Sequence, residues 1–161
     1  MCSSDLGHLA GPSSVSTARD RRKGFEDAVA AFGSGAQCVA VEAPDFRGAR
    51  EEALRLLRTD PRPTAIFAAN DDMAETLYAA AATLGLKIPR DVAAIGCGNL
   101  VPGRYLQPAL TTFDQKPYRI GQEAARLMLE RIRDNRNGSK PREVRVLPER
   151  VARGSTAAPS L

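Results

Sequence analysis

Residues Thr64–Gly96, TAIFAANDDMAETLYAAAATLGLKIPRDVAAIG, decide the fold. Thr64–Ala69 is an apolar run of strand length, as expected of a strand covered on both faces. Asn70-Asp71-Asp72 follows, with the short polar side chains that cap helices. The next residues place Met73, Leu77, Ala80, Ala81 and Leu84 on one side of a helix that stops at Gly85. Ile88-Pro89 turns the chain into a further strand, Val92–Gly96. A strand, a helix and a second strand at this spacing imply parallel strands joined by a right-handed crossover.

The same alternation continues outward. Upstream, Ser16-Thr17 can cap a helix with Phe25, Ala28, Val29 and Phe32 at helical spacing, ended by Gly33 and Gly35. Gln37–Glu42 is a short strand stopped by Pro44, and Arg47–Arg58 a second helix burying Ala49, Ala53, Leu56 and Leu57. Downstream, a Gly- and Pro-containing loop reaches Pro108, a short strand spans Leu110–Phe113, and a long helix runs from Pro117 to about Asn135. Glu143–Leu147 alternates as a last strand would. The expected class is α/β, a parallel sheet flanked by helices.

The 161 residues, 43% hydrophobic and 26% charged, suit one ordinary globular domain and exclude wholesale disorder. No apolar run approaches the roughly 20 residues that span a bilayer, and the opening MCSSDLGHLAGPSS has no secretion-signal pattern. A cytoplasmic protein without a membrane partner is therefore expected. Cys2, Cys38 and Cys97 are far apart, and His8 is the single histidine, so neither a metal set nor a disulfide framework is spelled out. The net charge of +4 is spread over helices that also carry Glu and Asp, which reads as a solvated surface rather than a nucleic-acid face.

In an open parallel sheet ligands bind beyond the carboxyl ends of the strands. Four such ends are legible: Gly11-Pro12-Ser13-Ser14, Pro44-Asp45-Phe46, Asn70-Asp71-Asp72 and Gly96-Cys97-Gly98-Asn99. Hydroxyls, amides, carboxylates and an aromatic ring suit a neutral polyol. The set is poor for catalysis, having no histidine beside a nucleophile and no nucleophile elbow. Gly96-x-Gly98 lacks the third glycine and the following helix of a dinucleotide loop. Asp71 and Asp72 read either as an acid/base pair or as a helix start favoured by the dipole. Arg21, one turn before Phe25, reads either as a fork for a ligand or as a surface arginine within Arg19-Asp20-Arg21-Arg22-Lys23.

Five strings then occur in order. They are Gly11-Pro12 with Arg21-Arg22-Lys23-Gly24-Phe25, the run from Pro63 to Asp71 (PTAIFAAND), the run from Gly85 to Val92 (GLKIPRDV), the run from Leu110 to Gln115 (LTTFDQ), and Arg153-Gly154-Ser155-Thr156. Together they resemble the sensor core of the lactose-repressor (LacI/GalR) family of transcription regulators, over nearly everything from Gly7 onward. The resemblance implies a periplasmic-binding-protein-like type I core, in which two α/β subdomains close on a small-molecule effector such as a sugar and the core forms a homodimer. It implies no cofactor and no enzyme activity. It places ligand contacts at Arg21 and Asn70 and a stacking ring at Phe46. Where the family carries the pair Asp-Asp, this chain has Gly98-Asn99, and the amide of Asn99 is the expected substitute.

The resemblance also implies an N-terminally truncated core: residues 1–112 as the C-terminal subdomain, 113–142 as a helical piece of the N-terminal subdomain, and 143–161 as a crossover strand and tail. Operator DNA is then met only through a helix-turn-helix head outside this chain. The other reading is a fragment of an exported sugar-binding protein of a transporter, and the Arg-Gly-Ser-Thr ending favours the regulator. An α/β enzyme is a third, which loss of turnover on Asp71→Asn would favour.

Overall fold

A computed structural model describes residues 6–32, 38–45, 49–134 and 142–157. The elements run β1 (Leu6–Ala10), α1 (Ser16–Phe32), β2 (Cys38–Glu42), α2 (Arg50–Leu57), β3 (Ala65–Ala68), α3 (Asp71–Thr83), β4 (Ala93–Cys97), β5 (Thr111–Asp114), α4 (Pro117–Asp134) and β6 (Glu149–Val151). Short 3-10 turns at Pro102–Arg104 and Gly154–Thr156 follow β4 and β6. Among the described residues the strands form one sheet in the order β2-β1-β3-β4-β5-β6, parallel except for the antiparallel β5–β6 pair. The expected α/β class, with a mostly parallel sheet, is borne out.

One face of the sheet carries the core. Leu9, Ile66, Ala68 and Ala94 alternate inward from β1, β3 and β4, and meet Leu56 and Leu57 of α2 and Met73, Leu77 and Ala81 of α3. Burying a leucine of this kind contributes about 1.5–3 kcal/mol. On the opposite face Phe25 of α1 covers His8 and Phe67, with ring centroids 5.1 and 6.3 Å away. Ala65, Phe67, Ala93 and Ile95 remain half-buried there. Leu6, Phe25, Ile95 and Thr156 help line a shallow apolar groove of about 120 Å³ on this side. The Thr64–Ala69 strand, expected to be covered on both faces, is thus fully covered on one.

Leu6–Ala10 forms a strand that the sequence reading does not single out, paired with both β2 and β3. Gly7 interrupts the apolar alternation there because a Cβ would lie 3.0 Å from Ile66 and 3.2 Å from Pro63. Glu143–Leu147 is not a strand: it runs unpaired, with Val144 and Leu147 exposed, and the pairing begins at Glu149. Period-two alternation marks what a strand would bury, but only a neighbour with free backbone groups makes one. The second helix begins at Arg50; Arg47 and Gly48 lie outside the described residues, and so does Gln37 ahead of β2.

The long helix is nearly as expected. Its apolar residues Ile120, Met128, Leu129 and Ile132 are 47%, 65%, 55% and 71% exposed, so among the described residues nothing covers this stripe.

Candidate functional site

The register aligns the carboxyl ends of the parallel strands: Ala10 lies beside Glu42, Leu9 beside Ala68, Phe67 beside Ile95, and Cys97 beside Phe113. The turns leaving β1, β3, β4 and β5 therefore open on one edge of the sheet. α1 starts there, and its half-buried Arg21 reaches across to the far strands, where Nη2 lies 3.4 Å from Gln115 Oε1 just past β5. Burial pushes the Cys97 thiol up, and the nearby Arg21 charge works against that.

Asn70 follows β3 and caps α3, its Oδ1 accepting from Met73 N at 2.8 Å. Its backbone is extended, with φ −148°, as a cap requires. Asn99 lies past β4 with φ +53°, a left-handed conformation that asparagine tolerates. Its Oδ1 accepts from Arg153 Nη2 at 2.6 Å, its Nδ2 donates to Asp114 Oδ2 at 3.2 Å, and its N–H donates to Thr112 Oγ1 at 3.2 Å. Arg21, Asn70 and Asn99 thus stand on turns at the same sheet edge. Phe46 lies outside the described residues.

Sequence reasoning missed the group that organises this edge. Asp71 is 1% exposed. Its Oδ1 accepts from Thr112 Oγ1 at 2.6 Å and its Oδ2 from Leu100 N at 2.7 Å, so it ties the start of α3 to β5 and to the turn after β4. Gly96 makes room for it, since a Cβ there would lie 2.3 Å from Asp71 Oδ1. Gly98 holds φ +144°, a conformation that only glycine adopts readily. The two glycines that suggested a dinucleotide loop therefore serve close packing. Asp71 is neither a cap, which is Asn70, nor half of an exposed pair with the half-buried Asp72. The signal available in sequence was Gly96-x-Gly98 downstream of the Asp71-Asp72 pair, but their closeness in the fold is invisible there.

Arg153 was noticed only as part of a closing motif. It donates Nη1 to Leu110 O at 2.7 Å as well as Nη2 to Asn99, and Ser155 Oγ donates to Ala94 O at 2.6 Å. The returning tail is thereby bolted to β4 and β5. Asp114 accepts from Lys116 N at 2.7 Å, and that backbone hydrogen bond holds its carboxyl below the ordinary range. Among the described residues no group of His, Cys, Asp and Glu is placed to hold a metal ion.

The periplasmic binding protein-like domain aligns with residues 4–156. The chain belongs to this family. As a periplasmic binding protein-like domain it is 36% identical over 152 residues to the HTH-type transcriptional repressor PurR of Photobacterium profundum, covering 93% of this chain and 45% of that protein. The repressor of the same name from Yersinia enterocolitica is 34% identical over 155 residues, covering 95% and 45%. The chain therefore spans under half the length of these relatives.

Solved structures agree with the resemblance read from sequence. A LacI family transcriptional regulator from Bifidobacterium animalis superimposes with a TM-score of 0.81 at 28% identity, over 97% of this chain and 56% of that one. A LacI family regulator from Enterococcus faecium with bound ribose gives 0.80 at 27% identity, over 96% and 57%. The dimeric Lac repressor, at 24% identity and a TM-score of 0.85, shares the fold over 99% of this chain and 57% of its own. The expected LacI-type periplasmic-binding-protein-like core is borne out.

Proposed function

We propose that this chain is the effector-binding and dimerisation core of a DNA-binding transcription regulator. The observation that carries the reading is the approach of Arg21 to Cys97 and Gln115, which brings a guanidinium from α1 to the edge where Asn70 and Asn99 also stand. A small molecule lying on that edge would meet groups from several strands, as ligands of open α/β sheets do. The effector is a sugar or a related small molecule; the Enterococcus faecium relative with bound ribose supports that class. Phe46 supplies a stacking ring. No catalytic chemistry is assigned to the site, and no cofactor.

In the whole regulator, residues 1–112 serve as the C-terminal subdomain, 113–142 as part of the N-terminal subdomain, and 143–161 as the crossover and tail. The exposed stripe of α4 then packs inside the N-terminal subdomain, where each Å² withdrawn from water contributes about 25 cal/mol. Effector binding shifts a population between two relative poses of the subdomains, and so alters the spacing of the DNA-reading heads. Operator DNA is engaged through the head and not through this core. No helix among the described residues is long and apolar enough to cross a membrane, and a cytoplasmic regulator is proposed.

The homodimer is assigned to the same core. Leu100, Val101 and Tyr105, around the 3-10 turn after β4, are 40%, 59% and 77% exposed. They leave apolar side chains exposed along the segment whose start Asp71 holds through Leu100 N.

The decisive experiment is to read the gene upstream of this segment: a helix-turn-helix supports the regulator, and a secretion signal supports a transporter's binding protein. In the complete protein Arg21→Ala weakens effector binding by at least ~1.5 kcal/mol, the scale of a charged hydrogen bond. Unchanged affinity removes Arg21 from the site.

A further inference from the structure

The turn after β4 is fixed to β5 through its backbone. Leu100 N donates to the buried Asp71, whose other oxygen accepts from Thr112 Oγ1. Thr112 Oγ1 accepts in turn from Asn99 N, and Gly98 N donates to Phe113 O at 2.9 Å. The half-buried side chain of Asn99 reaches further, to the two places where the chain crosses between the sheet and α4.

The outgoing crossing follows β5. Asp114 ends that strand, accepting from Lys116 N with Oδ1 and from Asn99 Nδ2 with Oδ2. Lys116 holds φ +57° just before α4 begins at Pro117. The returning crossing is β6, which pairs with β5 over three residue pairs, Thr112 with Val151, Phe113 with Arg150 and Asp114 with Glu149. Two residues past it, Arg153 N donates to Thr111 Oγ1 at 2.9 Å, and its guanidinium divides between Leu110 O and Asn99 Oδ1. Lys116 Nζ pairs with Glu149, which ties the crossings to each other. One amide therefore bonds to both, its NH2 to the outgoing crossing and its oxygen, in a charged bond of 2.6 Å, to the returning one.

We propose that the Asn99 side chain is a latch that holds both crossings between the sheet and α4 to the turn after β4. A two-stranded antiparallel pair this short is marginal by itself, so the side-chain bonds at its ends decide how firmly it stays closed. Asn99 is then a positioning residue, acting through Asp114 and Arg153. The wider meaning rests on the reading of this sheet edge as the effector site. There the latch places the turn that a ligand meets one side chain away from the segments that set the subdomain poses. A ligand that favours the latched or the open arrangement has the differential contact that a population shift requires.

The test needs no ligand, so its failure leaves the effector reading standing. Relaxation dispersion on the backbone amides of this chain reports μs–ms opening within the folded state. Asn99→Ala raises the open population by about tenfold or more at Asp114, Lys116 and Glu149 to Arg153, the scale of a lost charged hydrogen bond. The amides of β1 and β3 stay as in the parent. Asn99→Asp keeps an acceptor for Arg153 but sets a carboxylate against Asp114, so opening appears at Asp114 and Lys116 and not at Arg153. Adding Asp114→Asn turns that pair round, with the carboxylate on the turn and the amide on the strand, and restores the parent's behaviour. Crossings unchanged in Asn99→Ala overturn the latch. So does dispersion spread equally through β1 and β3, which makes the amide general packing. If Asn99→Ala does not fold, the other two variants decide: a double variant no nearer the parent than Asn99→Asp overturns it as well.

Discussion

Replacing His8 with leucine removes one buried titratable group and should flatten the response of stability to mild acid. His8 is 0% exposed on β1, stacked on Phe67 at 4.8 Å with Phe25 above it. Its Nδ1 lies 2.9 Å from Phe67 O, and because a carbonyl only accepts, the proton sits on Nδ1. Nε2 is buried with no partner among the described residues. Protonation would place a new N–H donor where nothing accepts it. Arg21 and Arg22 on α1 oppose the added charge and Glu26 favours it, but burial is the largest influence and lowers the pKa.

The sign follows from linkage. The folded form stays neutral below the ordinary imidazole value of about 6.5, while the unfolded chain takes up a proton. Stability is complete above that value and is lost as pH falls beneath it. The loss between about pH 7.5 and about pH 5 is at most about 2 kcal/mol, a Tm shift of no more than about 4–8 °C at this chain length. At about pH 7.5 the substitution is close to neutral, since the lost bond to Phe67 O offsets relief of the unpaired Nε2, each about 1 kcal/mol.

The chain has a single histidine, so the window isolates it. Glu42, Asp91 and Asp114 have lowered values and cost stability only at lower pH, equally in both proteins. Urea unfolding of the parent and His8→Leu at the two pH values measures the difference directly. A parent that loses no more stability than the variant would refute the buried-neutral assignment.

Asp71→Asn leaves one of the two donors, Leu100 N or Thr112 Oγ1, facing an NH2 group, and should cost about 2 kcal/mol by denaturant unfolding; an unchanged midpoint would mean that the turn after β4 does not depend on it. Tyr105→Asp, at an exposed apolar site, should shift the complete protein from dimer to monomer in light scattering while its Tm as a monomer holds; a persistent dimer places the interface elsewhere. Limited proteolysis of this chain alone should cut first beyond Thr112, in and around α4, whose apolar stripe is uncovered; equal resistance along the chain would show that the stripe finds cover.

The sequence by itself determined the alternation of elements and the parallel class of the sheet, and with them the edge proposed for a ligand. Each of these follows from local periodicity and turn chemistry, which are written within a few residues of one another. Arg21 and Asn70 were named through the resemblance to the family, and both stand at the carboxyl end of the sheet. What only the tertiary structure decided involves partners far apart in the chain. Asp71 reads as a helix-start charge until Thr112 and Leu100 arrive from across the sheet. Asn99 reads as a free amide until Arg153 and Asp114 grip it from 54 and 15 residues away. The antiparallel strand at Glu149–Val151 displaced the better-patterned Glu143–Leu147 because β5 lay there to pair with it. Hydrogen-bond commitment is a property of three-dimensional neighbours, so which polar groups remain free for a ligand could not be read from the order of residues.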